Sequence, residues 1–322
     1  MILYKKYRFQ DRPKCFLEDK CKNFVNKICS QYDFVIVSDI IPDSYIFLIN
    51  ECQTKIILEI TNRFDVLIDE KNKIDFYEQF GKAIIENKNI TVVENNPYEV
   101  FYACQNGIFI PNYYLIRPVG FAPDEVLAKK YKISHEEIAI IDRTDQDSGV
   151  SSRQLKKYKI KHRILNKDYG GPLVLANYKA LIILPYQVSI MKMMENFRYG
   201  VVMLIPTEKL FRELSNDFYY EFPEKDLKDV PNGLSNYMEW YNKEFKDLFI
   251  YFDSWEELPS IIENTDFSKY KKKEMNYMKK YEEKAINLWA QVLDIIPSKD
   301  KISDDQPICD NKIFYNYNIS IE

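Results

Sequence analysis

Short apolar runs alternate with helix-length stretches along most of the chain. The runs DFVIVSD (33–39), KIILEI (55–60) and ITVVE (90–94) read as strands, since four to eight apolar or β-branched residues between polar breaks suit a buried strand. Amphipathic stretches at 43–51, 73–88 and 97–106 predict helices between and after them. Asn96-Pro97 reads as a helix start, a capping side chain followed by proline at the first helical position. The second half continues with IAIID (138–142), a helix near 151–158, HRIL (162–165), a short helix near 172–178 and ALIILP (180–185). A helix over 187–199, VVMLIP (201–206) and FIYF (249–252) follow. A long helical stretch over 256–294 breaks near Thr265, and its 269–284 portion, charged on most sides, predicts a solvated face.

This alternation predicts an α/β protein with parallel sheets and helical crossovers. Two prolines and a glycine interrupt the pattern at IRPVGFAPDE (116–125) and mark a domain boundary. The expected division is a first domain over 1–118, a second over 119–294 and a tail over 295–322. Open α/β sheets bind ligands at the carboxyl ends of their strands. The polar residues at those places are Asp39; Thr61, Asn62, Arg63 and Asp65; Asn95; Arg143; Asn166, Lys167 and Asp168; Tyr186 and Gln187; Thr207 and Glu208; and Asp253 and Ser254.

Composition removes several classes. With 46% apolar and 15% aromatic residues the chain has material for two cores, and a disordered chain is excluded. A net charge of −4 gives no field to gather a nucleic-acid backbone, so no nucleic-acid partner is expected. The eight glycines, none in the first 80 residues, form neither G-x-G-x-x-G nor G-x-x-x-x-G-K-[ST]. Six cysteines without a C-x-x-C pair are expected to be reduced, buried thiols rather than a zinc site or a disulfide framework. No run approaches the ~18 apolar residues of a spanning helix, and MILYKKYRFQ lacks a signal-peptide core. A soluble, cytoplasmic protein is therefore expected. Residues 1–32 carry eight Lys or Arg against three acids, which allows peripheral contact with an anionic membrane, or simply a solvated helix face. Asn-X-Ser/Thr tripeptides at Asn89 and Asn318 are of a kind common by chance and carry no weight here.

The most specific stretch is YKALIILPYQVSIMKMMENFRYGVVMLIPTEKLFREL (178–214): strand, helix, glycine stop, strand. On it Ile190, Met193, Met194 and Phe197 form one apolar stripe, and Glu195 lies about 140° from its centre at about 100° per residue, so its carboxylate leaves the core. A carboxylate accepts both hydrogen bonds of a vicinal diol, at roughly 1.5 to 3 kcal/mol for charge-assisted bonds. The amino end of the helix, at Gln187 to Ile190, offers N–H groups to a diphosphate, and Ser189 adds a hydroxyl. The alternative is an ordinary amphipathic helix with one solvated glutamate.

This stretch resembles the nucleotide-sugar half of the GT-B glycosyltransferases, in which a proline-ended strand leads to a helix glutamate with a glycine five residues later, as Glu195 and Gly200 stand here. The resemblance covers about 160–294, including YMEWYNKEFKDLFIYFDSWEELPSII (237–262) and a terminal helix with Asn287, Leu288 and Trp289. In the first domain it extends only to ILEITNRFD (57–65), and that domain is short enough to be trimmed or incomplete. It implies two Rossmann-like domains facing across a cleft, with the C-terminal helix crossing back to the first. It also implies transfer of a sugar from a nucleoside diphosphate donor to a sugar, lipid or protein acceptor, without a metal or other cofactor. Glu195 would bind the donor ribose. Ser189, Ile190, Lys167, Tyr186 and the Gly170-Gly171 loop would line the donor, with a tight turn as the alternative for the loop. Arg143 would stabilise the leaving diphosphate, or else pair with Asp142 or Asp145 at the surface.

Retaining members of the best-known group carry a second glutamate at the position of Gln187, where the amide keeps hydrogen bonding and removes charge. On the acceptor side stand Asp39, Asn62, Arg63 and Asn95, with Asp65, or Asp39, as base for an inverting route. Both histidines, His135 and His162, fall in the second domain, which favours retention. Asp145-Gln146-Asp147 is a D-x-D tripeptide, too short to specify a metal site. The competing expectations are a non-catalytic binding protein or scaffold on this fold and a sugar-nucleotide epimerase.

Overall fold

A computed structural model describes residues 19–50, 52–123, 134–142, 145–215 and 237–297. They divide into two compact units, Met1–Arg117 with Ile286–Glu322, and Pro118–Ala285. In the first, β1 (Phe34–Ser38), β2 (Lys55–Ile60), β3 (Ile90–Glu94) and β4 (Tyr113–Leu115) form a parallel sheet in that order. The helices are α1 (Asp19–Gln31), α2 (Tyr45–Ile49), α3 (Glu70–Glu86) and α4 (Pro97–Gln105). Asn96 caps α4, its side chain accepting from the Tyr98 N–H at 3.0 Å, with Pro97 in the first turn as the sequence predicts. Ile56, Leu58 and Ile60 of β2 pack with Phe64, Phe76 and Phe80 in the core. Phe64 stacks on Phe80 at 5.5 Å between ring centres, tying the loop after β2 to α3.

The second unit holds a five-stranded parallel sheet in the order β6-β5-β7-β8-β9. Its strands are β5 (His135–Ile141), β6 (His162–Leu165), β7 (Tyr178–Ile182), β8 (Met203–Pro206) and β9 (Ile250–Phe252). Its helices are α5 (Asp145–Lys157), α6 (Pro172–Leu175), α7 (Met191–Tyr199), α8 (Glu208–Ser215), α9 (Leu258–Asn264) and α10 (Phe267–Val292). Alternate strand residues Ile138, Ile140, Ala180, Ile182, Ile250 and Phe252 fill its core with Leu155, Trp255 and Leu258. The fold class is thus the expected one, two parallel-sheet α/β units.

The two sheets differ where ligands are concerned. The first has sequential order, whereas the second turns back after β5 and β6, so that β5 and β7 flank a topological switch point. Chain connections leave such a point in opposite directions and open a crevice at the carboxyl ends of its strands.

Several expectations are corrected. The helix expected from residue 187 begins at Met191. The Trp240 indole donates to the Gln187 carbonyl at 2.7 Å and the Glu239 N–H to the Val188 carbonyl at 2.9 Å, so carbonyls a helix would use are turned to another partner. The helix expected at 151–158 begins at Asp145. The 269–284 portion of α10 is not solvated all round: Glu274, Met278 and Tyr281 are buried, and the Lys271 ammonium donates to the Ala176 carbonyl. The reduced-thiol expectation fails as well. Cys29 and Cys52 form a disulfide, and Cys21 and Cys104 are disulfide-bonded too. Cys29 and Cys52 meet through the fold, their Cα atoms 5.7 Å apart, and residue spacing alone carries no sign of it. Among the described residues no helix is long and apolar enough to cross a membrane.

Candidate functional site

Glu195 is exposed on α7, while Ile190, Met193, Met194 and Phe197 are 8% exposed or less. The apolar stripe therefore turns the carboxylate away from the core, as the periodicity predicts. Gly200 ends the helix in the left-handed conformation, at φ 62°, with the Val201 N–H bonded to the Asn196 carbonyl and the Gly200 N–H to that of Phe197. Part of the Glu195–Gly200 spacing thus has a plain helix-stop cause.

The segment leading into α7 follows β7 at the switch point. Pro185 and Val188 are buried, Gln187 is exposed, and Tyr186 and Ser189 are half-buried. No side chain caps the first turn of α7, whose N-cap residue is Ile190. The amino end able to face an anion is therefore at Met191 rather than at Gln187 to Ile190.

Two loops converge on α7. In the loop after β6, Gly170 and Gly171 have φ of 92° and 84°, a left-handed pair that side-chain-bearing residues adopt only with strain. Tyr169 just before them takes the Lys192 ammonium of α7 over its ring, 4.0 Å from the centre. From the other side comes Gly120. A Cβ there would lie 2.5 Å from the Met194 carbonyl oxygen and 2.8 Å from the Glu195 Cα. Only glycine lets the chain lie so close to the backbone that carries Glu195. Lys167 and Asp168 are exposed beside the Tyr169 loop. Arg143 lies outside the described residues, as do the side chains of Asp145 and Asp147.

The carboxyl edge of the first sheet holds a buried polar cluster that sequence reasoning found only in part. Arg63 pairs with Glu99, and its guanidinium lies 4.5 Å from the Tyr98 ring centre and 5.2 Å from that of Tyr102. Asn95 donates to the Thr61 carbonyl at 3.1 Å and accepts from Asn96 at 2.6 Å. Asp65, 5% exposed, accepts from the Tyr77 hydroxyl at 2.5 Å and from Tyr102 at 3.1 Å, with the Lys73 ammonium at 3.5 Å. Burial first, then the bond to Asp65, pushes the Tyr77 hydroxyl well up, while Glu70 and Asp65 outweigh burial and raise Lys73. A general base must reach a substrate hydroxyl. A carboxylate this enclosed anchors two tyrosines instead, so the base role expected of Asp65 is not carried forward. Asp39 and Asn62 are exposed; Asp39 takes a positive φ of 67° and accepts from Thr61 at 3.4 Å.

Glu94 and Glu99 were missed. Glu94 ends β3 fully buried, and neither of its carboxyl oxygens has a hydrogen-bond partner among the described residues. Burial, reinforced by Glu99, lifts its pKa well above the usual 4.5, which keeps it neutral near that pH. Burial also raises Glu99, against the pull of Arg63. The one available signal was a glutamate closing the apolar run ITVVE. Among the described residues no group of three or more His, Cys, Asp or Glu side chains is placed to hold a metal ion. His162 is engaged by Ser152 at 3.0 Å and the Ile160 carbonyl at 2.9 Å.

No protein-family model matches the chain. No curated protein matches it either. Among solved structures it is similar to Arabidopsis thaliana UGT89C1 complexed with UDP, at 10% identity and a TM-score of 0.43, over 87% of this chain and 75% of that one.

Proposed function

We propose that this protein transfers a sugar from a nucleoside diphosphate donor held by its second unit. The observation that carries the reading is the convergence of the Gly170-Gly171 loop and the uncapped first turn of α7 beyond a switch-point edge, with Glu195 exposed one turn on. A diphosphate fits an uncapped helix start beside a glycine loop, and an exposed carboxylate fits the ribose diol. Lys167, exposed beside the Tyr169 loop, brings positive charge to the same edge, and Arg143, two residues after β5 in sequence, is the further candidate for the leaving diphosphate. Gln187 and Ser189 offer neutral hydrogen bonds to the donor sugar, with Tyr186 beside them. On the first unit, Asp39 and Asn62 are the acceptor-side groups open to solvent.

In the transfer, the bond from the anomeric carbon to the diphosphate oxygen breaks and the acceptor hydroxyl oxygen bonds that carbon. Its proton passes to the departing diphosphate, so no protein base is required, which suits a retaining, metal-independent route. A second reading, a protein that binds the donor without turning it over, is favoured by the uncharged Gln187 and the enclosed Asp65. Incubation with labelled nucleoside diphosphate sugars separates the two. Release of free nucleoside diphosphate, with sugar passed to water or an acceptor, supports the enzyme. Saturable donor binding with no release in chelator-free buffer supports the second reading.

A further inference from the structure

All four described cysteines whose side chains can be followed are oxidised: Cys29 with Cys52, and Cys21 and Cys104 in disulfides as well. Among the described residues there is no free thiol. Cys21, Cys52 and Cys104 are 3% exposed or less, so they lie within the core of the first unit rather than on a reactive surface. The chain has two large apolar cores and does not need staples to fold, as very small domains do. Such a set of bonds therefore speaks about the compartment, because protein disulfides form and persist in oxidising surroundings and are rare in reducing cytosol.

A second, independent feature fits that compartment. Asn89-Ile90-Thr91 is an acceptor tripeptide for N-linked glycans. It sits in the turn between α3 and β3, closed by the Ile90 N–H on the Asn87 carbonyl at 3.1 Å and the Asn89 N–H on the Asn87 side chain at 2.9 Å. The Asn89 side chain is partly exposed, and its amide donates outward to the Gln53 carbonyl at 3.2 Å. Glycosylation replaces one of two amide hydrogens, so this bond can survive. Asn89 also precedes β3 at the amino edge of the sheet, whereas Glu94, Asn95 and Asn96 close the same strand at the carboxyl edge. Five residues at about 3.3 Å each separate the two edges by about 17 Å. A glycan at Asn89 leaves the polar edge open.

We propose that this protein folds and works in an oxidising, extracytoplasmic compartment, in place of the cytoplasm expected from its sequence, and that Asn89 carries an N-linked glycan there. The donor is a polyprenyl diphosphate-linked oligosaccharide presented by the compartment's oligosaccharyl transferase. The Asn89 Nδ2 bonds the first sugar's anomeric carbon, that carbon's bond to the diphosphate oxygen breaks, and the amide proton leaves with the lipid diphosphate. Each disulfide forms as two thiols give two electrons and two protons to a thiol oxidase of the same compartment.

The test directs the full chain through the secretory pathway of a eukaryotic cell behind a fused signal sequence, and makes it in parallel in a reducing bacterial cytosol. For the secreted protein the expectation is a glycan-sized mass removed by peptide N-glycanase, leaving aspartate at position 89 in the peptide map. That mass is absent in Asn89→Gln and present in Asn318→Gln. Alkylation after denaturation should leave Cys21, Cys29, Cys52 and Cys104 of the secreted protein unlabelled, and the cytosolic protein should melt several degrees lower. A secreted, folded chain with unmodified Asn89 overturns the glycan site. Cytosolic protein with four alkylatable thiols and the same melting temperature overturns the compartment.

Discussion

The Lys192 ammonium lies over the Tyr169 ring, 4.0 Å from its centre, and joins the glycine-pair loop after β6 to the first turn of α7. A contact of this kind is worth about 0.5–1 kcal/mol where exposed. Lys192→Met should therefore cost little stability. Its main effect should be on a nucleoside diphosphate, whose affinity should fall several-fold as the loop loosens and a positive charge is lost. Isothermal titration of wild type and variant checks this, and equal affinities would remove the loop from the site.

Gly120 makes a stronger test of position. A Cβ at 120 meets backbone atoms of Met194 and Glu195 rather than a side chain that can swing away. Overpacking of this sort costs about 1–3 kcal/mol, and Gly120→Ala should be destabilised by that amount in urea unfolding. Glu195→Ala should change stability by no more than about 0.5 kcal/mol, because the side chain is exposed.

The buried carboxyls predict a pH dependence. Glu94, like Glu274, is raised well above its ordinary value of 4.5 by burial. Between the unfolded and folded values the native state holds more protons than the unfolded one, so stability falls as pH rises through that window. The fall starts near pH 4.5 and ends at the raised folded value. Glu94→Gln, neutral at every pH, should flatten the decline, and denaturant midpoints measured from pH 4 to pH 9 follow it. An unchanged slope in the variant would place the cost elsewhere.

Reduction of the Cys29–Cys52 bond opens a link between residues 23 apart in sequence. Loop entropy at that length puts its contribution at about 3 kcal/mol. Unfolding of Cys29→Ser with Cys52→Ser, compared with wild type under non-reducing conditions, should show a loss of that order.

What the sequence disclosed follows from what fixes each element. β2, β3 and β6 are legible to the residue because uninterrupted apolar or β-branched runs sit between polar breaks. β4 is not, since Tyr113 to Leu115 is three residues between Pro111 and Pro118 with no room for a period. The start of α7 depends on Trp240, 53 residues away, holding the Gln187 carbonyl, and no local pattern encodes that. The polar DQDSGVSS opening of α5 likewise carries no helical period of apolar residues. Outward-facing Glu195 was readable from the stripe opposite it. Buried Glu94, Glu99 and Glu274 were not, because charge in a sequence predicts solvent and only the assembled sheet and helices show them enclosed.

A donor pocket at α7 is what sugar transfer by this protein most needs. Thermal unfolding of wild type and Glu195→Ala against a panel of nucleoside diphosphates and their sugar conjugates tests it. A ligand at about 100 times its dissociation constant adds roughly 2.7 kcal/mol to stability. One base should raise the wild-type melting temperature by several degrees, and the rise should be largely lost in Glu195→Ala while the unliganded melting temperatures agree. No shift with any nucleotide, or the same shift in both proteins, would contradict the account.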